Sequence, residues 1–255
     1  MEDFRLTWDA QGEHQYETGV NHGVLYPLNS EGKYEEGKVW NGLTSVSESP
    51  EGAEVTAIYA DNIKYLNLMS AEDFKGTIEA YTYPDEFAEC DGSAQLVTGV
   101  PGITIGQQAR KKFGLCYATK VGNDVDADAG EKIHIVYNCL ASPSERSYET
   151  VNDSPEAITF SWEFSTTPVK VSGGKLKDTA TLVIDTTDLK AAKKEYIADY
   201  IKAVLYGTTN TAIITKVNEA LYGQGATSSW DGSPMLILPD DIAKITAIPA
   251  PSNQE

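Results

Sequence analysis

Asp124-x-Asp126-x-Asp128 opens like a calcium loop, in which alternating carboxylates supply oxygen ligands to a hard cation. The pattern then fails at two positions. The sixth residue, where glycine must make the sharp turn, is Ala129, and the twelfth, where a bidentate glutamate must close the site, is Ile135. A solvated acidic hairpin tip is the expectation, with Asp124, Asp126 and Asp128 kept as candidates for loose calcium binding. His14, His22 and His134 have no metal spacing relative to one another or to a cysteine, and His134 falls mid-strand opposite Ile133 and Ile135. Gly99, Gly102 and Gly106 lack the strand, helix and lysine of a phosphate loop, and Ser172–Lys175 reads as a turn. No Gly-x-Ser-x-Gly elbow is present, and carboxylates are too numerous for any pair to point to glycoside hydrolysis. No catalytic constellation, metal or cofactor is expected, so the chain is read as a protein that is not an enzyme.

The segments that carry these residues read mainly as β-strands. Val55–Tyr59, Thr77–Tyr83, Lys112–Val121, Lys132–Leu140, Ile158–Phe164 and Thr179–Asp185 show the period-two pattern of strands, and Pro84 is expected to end the second. The third and fourth, joined by an Asn/Asp/Gly-rich connection, form a predicted hairpin in which Ile133, Ile135, Tyr137 and Cys139 share a face. Ile158, Phe160, Trp162 and Phe164 give another strand one apolar side, with Thr159, Ser161 and Glu163 opposite. A short strand is expected near Gly23–Tyr26 and one helical turn over Asp85–Cys90. From Asp188 to Tyr206 the period changes to 3.6, which predicts a helix capped by Thr187 or Asp188 and stopped by Gly207. A weaker helix is expected from Asn210 to Tyr222, followed by an apolar segment, Met235–Ile248, broken at Pro239. Residues 1–186 are thus read as one β-rich domain and 187–255 as a helical C-terminal segment.

Charge is distributed unevenly. The chain has 38 acidic and 20 basic residues, net −18. Residues 1–100 hold 19 acids and 5 bases, or −14 of that total. Such a field disfavours binding to nucleic acid, which needs Lys and Arg to neutralise phosphates, and disfavours an anionic membrane as partner. No apolar run is long enough to span a bilayer, and the opening MEDFRLTWD has no apolar core of a secretory signal. Cys90, Cys116 and Cys139, odd in number and widely spaced, read as buried free thiols. Residues 29–49 read as an extended Gly- and Glu-rich loop. Tyr34, Glu35, Glu36, Lys38 and Trp40 are its candidate interaction residues.

Longer words in the sequence carry a resemblance. They include Trp40–Val46 (WNGLTSV), Glu48–Glu54 (ESPEGAE), Tyr59–Leu68 (YADNIKYLNL) and Gly76–Gly92 (GTIEAYTYPDEFAECDG). Ile103–Gln108 (ITIGQQ), Phe113–Tyr117 (FGLCY), Ala141–Tyr148 (ASPSERSY), Asn152–Trp162 (NDSPEAITFSW) and Thr166–Val169 (TTPV) follow in order. Together they resemble the major tail (tail tube) proteins of long, non-contractile-tailed, siphovirus-type bacteriophages. The likeness runs from about Thr18 to Ile184 and resumes more loosely over Tyr196–Thr208 and Leu236–Ile242. Residues 209–233 look like an insertion.

The resemblance implies a tail-tube-type β-sandwich with a flanking α-helix that contributes strands to a multi-subunit inner β-barrel. It implies a virion protein whose hexameric rings stack into a hollow helical tube. Its partners would be further copies of itself, the tape measure protein, the tail terminator and the baseplate or distal tail proteins. DNA would transit the lumen during ejection without specific binding. Glu79 and Glu163, mid-strand on polar faces, are then candidates for the acidic lumen, since like charge keeps phosphate from adhering. Three readings remain beside this one: a ring-forming terminator or baseplate-hub protein of the same fold, a carbohydrate-binding β-sandwich module suggested by the 14 tyrosines, and an acidic β-rich hydrolase.

Overall fold

The computed structural model describes residues 8–251, apart from 98, 99, 101, 145, 149, 151–156, 174, 175, 227 and 228. Gly99, Gly174, Lys175 and most of the chain's opening lie outside the described residues. The chain is mainly β. Its elements in order are β1 (Tyr16–Pro27), β2 (Lys38–Trp40), β3 (Leu43–Glu48), β4 (Glu51–Gly52), β5 (Val55–Ala60), β6 (Ile63–Met69), β7 (Glu72–Asp73) and β8 (Lys75–Ala80). They continue with α1 (Phe87–Asp91), β9 (Ala94–Gln95), β10 (Thr104–Ile105), β11 (Phe113–Gly122), β12 (Gly130–Ala141), β13 (Phe160–Ser165) and β14 (Thr181–Asp185). Four helices follow: α2 (Thr186–Ala191), α3 (Glu195–Tyr206), α4 (Thr211–Tyr222) and α5 (Pro239–Ile245).

One large antiparallel sheet runs in the order β2-β1-β11-β12-β13-β8-β3, with β14 also paired to β12. The β12–β13 junction is confined to Leu140–Ser165 and Ala141–Phe164, so the sheet folds there into two layers. Strands β11 and β12 are covered on both sides, and alternate residues serve two cores. Cys116, Ile133, Ile135 and Tyr137 face α3, α4 and α5, whose Ile197, Ile201, Val204, Val217 and Ile245 fill the space between. Leu115, Tyr117 and Val136 face the β3-β8-β13 layer, where they meet Ile78, Trp162 and Phe164. Buried tyrosines need partners for their hydroxyls. Tyr137 donates to the Ile237 carbonyl at 2.8 Å and Tyr26 to the Leu205 carbonyl at 2.6 Å, which fastens the helical segment to the sheet.

Several expectations are corrected. The short strand near Gly23–Tyr26 extends over twelve residues, and the strand ahead of Pro84 already ends at Ala80. Cys139 does not share the face of Ile133. Asn138 adopts φ 49°, and the pairing with β11 shifts by one residue between Phe113–Cys139 and Leu115–Val136. That bulge turns Cys139 into the opposite core. The single helix expected over 188–206 is two, separated at Lys193 (φ 56°), and its N-cap is Asp185, whose carboxylate accepts from the Thr187 and Asp188 amides. The stop at Gly207 and the helix from Asn210 to Tyr222 are as the pattern predicts.

Candidate functional site

The most unusual feature is a β-hairpin arm. The β3–β8 pair continues outward as β4–β7 and then β5–β6. It ends at Asp61 and Asn62, whose φ values of 52° and 63° are those of a two-residue type I′ turn. Every residue of β6 is exposed. The arm is apolar on both faces: Val55, Tyr59 and Met69 lie on one, and Ile58, Leu66 and Leu68 on the other. With Ile63 and Tyr65 these side chains, 38–70% exposed, form a largely apolar patch on the order of several hundred Å². A two-stranded hairpin alone is marginally stable in water. Exposed apolar patches of this kind mark interaction surfaces.

At its root the arm is anchored by polar contacts. Strand β3 crosses the sheet from above β1, where Leu43 lies against Gly23, to above β11 and β12. There Glu48 accepts a hydrogen bond from the Tyr117 hydroxyl at 2.8 Å. Tyr117 stacks on His134 with centroids 4.7 Å apart. His134 Nε2 sits 3.3 Å from Glu17, and Lys132 Nζ donates to Glu17 at 2.9 Å. The Thr119 hydroxyl bond, followed by Lys132 and His134, holds the Glu17 carboxyl below the usual glutamate range, against the opposing effect of burial. Burial and the Glu48 bond push the Tyr117 phenol far up.

A depressed carboxylate stabilises the fold above its unfolded pKa of about 4.3, and that contribution is lost as pH falls through the lower folded value. Glu17→Gln is therefore expected to flatten the acid limb of a stability–pH profile below about pH 5. The effect should be under ~1 kcal/mol because the carboxylate is about one-third exposed. Urea midpoints measured at successive pH values check this; an unchanged acid limb counts against it.

No family model matches the chain, and no curated protein does. Ten chains of solved structures match. One belongs to the anti-feeding prophage baseplate, at 8% identity and TM-score 0.34, covering 70% of this chain and 97% of that one. Another belongs to the sheath–tube complex of the PVC extracellular contractile injection system in its extended state, at 10% identity and TM-score 0.30, covering 67% of this chain and 93% of that one. Both likenesses are too loose to bear on what this chain does.

The candidate residues from the sequence distribute differently. Glu79 and Glu163 come together on the outward face of the β3-β8-β13 layer, in register with Ser45, Ser47, Thr77 and Ser161. Glu79 accepts from the Ser45 hydroxyl at 2.8 Å. The 29–49 segment is not an extended arm. Asn29 Oδ1 caps the amides of Glu31 and Lys33, and Leu28 bridges Tyr34. Gly37 packs so closely that a Cβ would lie 2.6 Å from the Tyr26 ring. The Tyr34 hydroxyl donates to Asn138 Oδ1 and accepts from the Asn138 amide, while Trp40 is 2% exposed and donates to the Thr82 carbonyl. Those two rings are held within their own chain. Glu35 and Glu36 stay exposed, and Lys38 pairs with Glu36.

The acidic triplet does not converge on a point. Asp124 accepts from the Gly12 amide and Asp126 from the Asp128 amide, and among the described residues no cluster of three potential ligands forms. The three cysteines are buried, and burial pushes the Cys90 and Cys116 thiols up to about 12. Sequence reasoning missed the arm and its Glu48–Tyr117–His134 root. The signal was present in VTAIYADNIKYLNLM: two strand-length runs around a two-residue turn, apolar at both parities, which a solvent-facing strand does not tolerate alone.

Proposed function

We propose that this chain is a structural subunit of a siphovirus-type phage tail tube, without catalytic turnover. Hexameric rings of it stack into a hollow tube that conducts DNA from capsid to host. The exposed β-hairpin arm carries the reading, because a surface of that size and apolarity demands a partner. The sequence words resembling tail tube proteins name the kind of partner: further copies of the same chain. Among the described residues strand β3 is an open sheet edge, and β13 is paired along one side only, to β8, over residues 160–163. Joining such edges between subunits removes the liability they present. The outward Ser/Thr/Glu face bearing Glu79 and Glu163 then lines the bore, where like charge keeps DNA from adhering. Tape measure, terminator and distal tail proteins are the expected neighbours in the virion.

Electron microscopy of the purified protein, with sedimentation across a concentration series, tests this. Open-ended hollow tubes are expected. Rings that never stack point instead to a terminator or hub protein of the same fold. A monomer at every concentration, with the arm protected from protease, removes the reading altogether.

A further inference from the structure

We propose that the arm of one subunit seats its tip in an apolar pocket on the next copy, between the β2 edge and the C-terminal end of α3. The proposal rests on the assembly reading above and names the surface that receives the arm. The pocket, about 160 Å³, is lined by Val24, Val39, Leu205, Tyr206 and Pro234, with His22 at its mouth. Its volume suits one or two aliphatic or aromatic side chains. Tyr59 and Ile63, 70% and 63% exposed on either side of the Asp61–Asn62 turn, lie on opposite faces of the hairpin, and Ile63, paired with Ala60 next to the turn, is the side chain that enters.

Position favours this pairing. The root of the arm is tied to Tyr117 of β11 and lies beside His134 of β12, whereas the pocket lies at the β1–β2 edge of the same sheet. Complementary patches at two separate places on a subunit make a head-to-tail contact, which closes into a ring or propagates as a helix. The pocket also has features a purely structural crevice does not need. Val39 is 67% exposed on a three-residue edge strand. His22 occupies left-handed backbone (φ 50°) in the twice-shifted part of β1, and this sets its ring against Tyr206 with centroids 5.8 Å apart. Non-glycine residues held at positive φ gather at functional surfaces because the strain must be maintained by the surrounding structure.

The test uses two full-length variants. Val39→Glu changes an exposed residue and should leave the unfolding midpoint unchanged. It should raise the concentration needed for polymerisation at least about tenfold, since seating the tip would bury an unpaired carboxylate. In a Val39→Cys/Ile63→Cys double variant, assembled polymer oxidised in air should give a ladder of disulfide-linked multimers on a non-reducing gel. The native cysteines are buried and do not compete. Normal polymerisation of Val39→Glu, or the absence of a ladder from assembled double variant, overturns the pocket assignment while leaving the tube reading intact. Failure of the unaltered chain to polymerise removes both.

Discussion

Replacing residues 53–71 with an Asn-Gly turn is expected to give a folded monomer that no longer assembles at any accessible concentration. The excision falls where β4 and β7 already pair, Glu51 with Asp73 and Gly52 with Glu72, so a type I′ turn can close the shortened hairpin without altering register. None of the removed residues belongs to either hydrophobic core, so the unfolding free energy should stay within about 1 kcal/mol of the parent. Assembly should be lost outright, because the arm supplies an exposed apolar surface of the scale that marks an interaction site. Sedimentation and electron microscopy read the outcome, and normal tubes from the shortened chain would show that the arm is dispensable. The same reasoning predicts weak amide protection of β5 and β6 in free subunits and strong protection in polymer, because a lone two-stranded hairpin is marginal in water. An arm that ordered only on docking would keep free subunits from polymerising prematurely, since the ordering entropy must be offset by contacts with a pre-existing end.

Local patterns that report burial were legible in the sequence. The β11–β12 hairpin followed from alternation and its Asn/Asp/Gly connection, and α3 and α4 ended at the glycines that terminate them. Period two also put Glu79 and Glu163 on the polar faces of their strands, and the pairing of β8 with β13, which the sequence did not reveal, sets them on the same side of that layer. What escaped was decided by single backbone turns or by tertiary contact. One left-handed residue, Asn138, reverses the face of Cys139, and another, Lys193, divides a helix whose apolar periodicity is otherwise continuous. Composition made residues 29–40 look too rich in Gly and Glu to pack. Yet the glycine at 37 is what allows the chain to lie against Tyr26, and the asparagine at 29 closes the turn. The arm was hidden for the opposite reason. Its Val, Ile, Tyr and Leu content reads as core, because a strand buried in its own fold and an exposed apolar strand share the same residue types.

Trp162→Ala is expected to be the most damaging single substitution, costing about 3–5 kcal/mol. Trp162 is 1% exposed at the centre of the layer that presents Glu79 and Glu163. Its indole meets the rings of Trp40, Tyr83 and Phe87 edge-on, with centroids 5.8, 5.3 and 5.0 Å away, and aromatic pairs of this geometry contribute beyond area alone. Its Nε1 donates to Asp91 Oδ1 at 3.2 Å, and Asp91 in turn pairs with Arg146, whose guanidinium lies over the Tyr83 and Phe160 rings. Truncation therefore leaves a cavity among rings that cannot collapse and removes one of two partners from a mostly buried carboxylate. Typical folding free energies of 5–15 kcal/mol make this a large fraction of the whole. Trp162→Phe, which keeps a ring but loses the Nε1 donor, should cost roughly half as much. Urea unfolding followed by near-ultraviolet circular dichroism separates the two variants. A loss below about 1 kcal/mol for alanine would mean that the aromatic cluster does not anchor this layer. Because the substitution does not touch the arm, the fraction of Trp162→Ala chains that remains folded should still polymerise, in contrast to the stable but non-assembling arm-deleted chain.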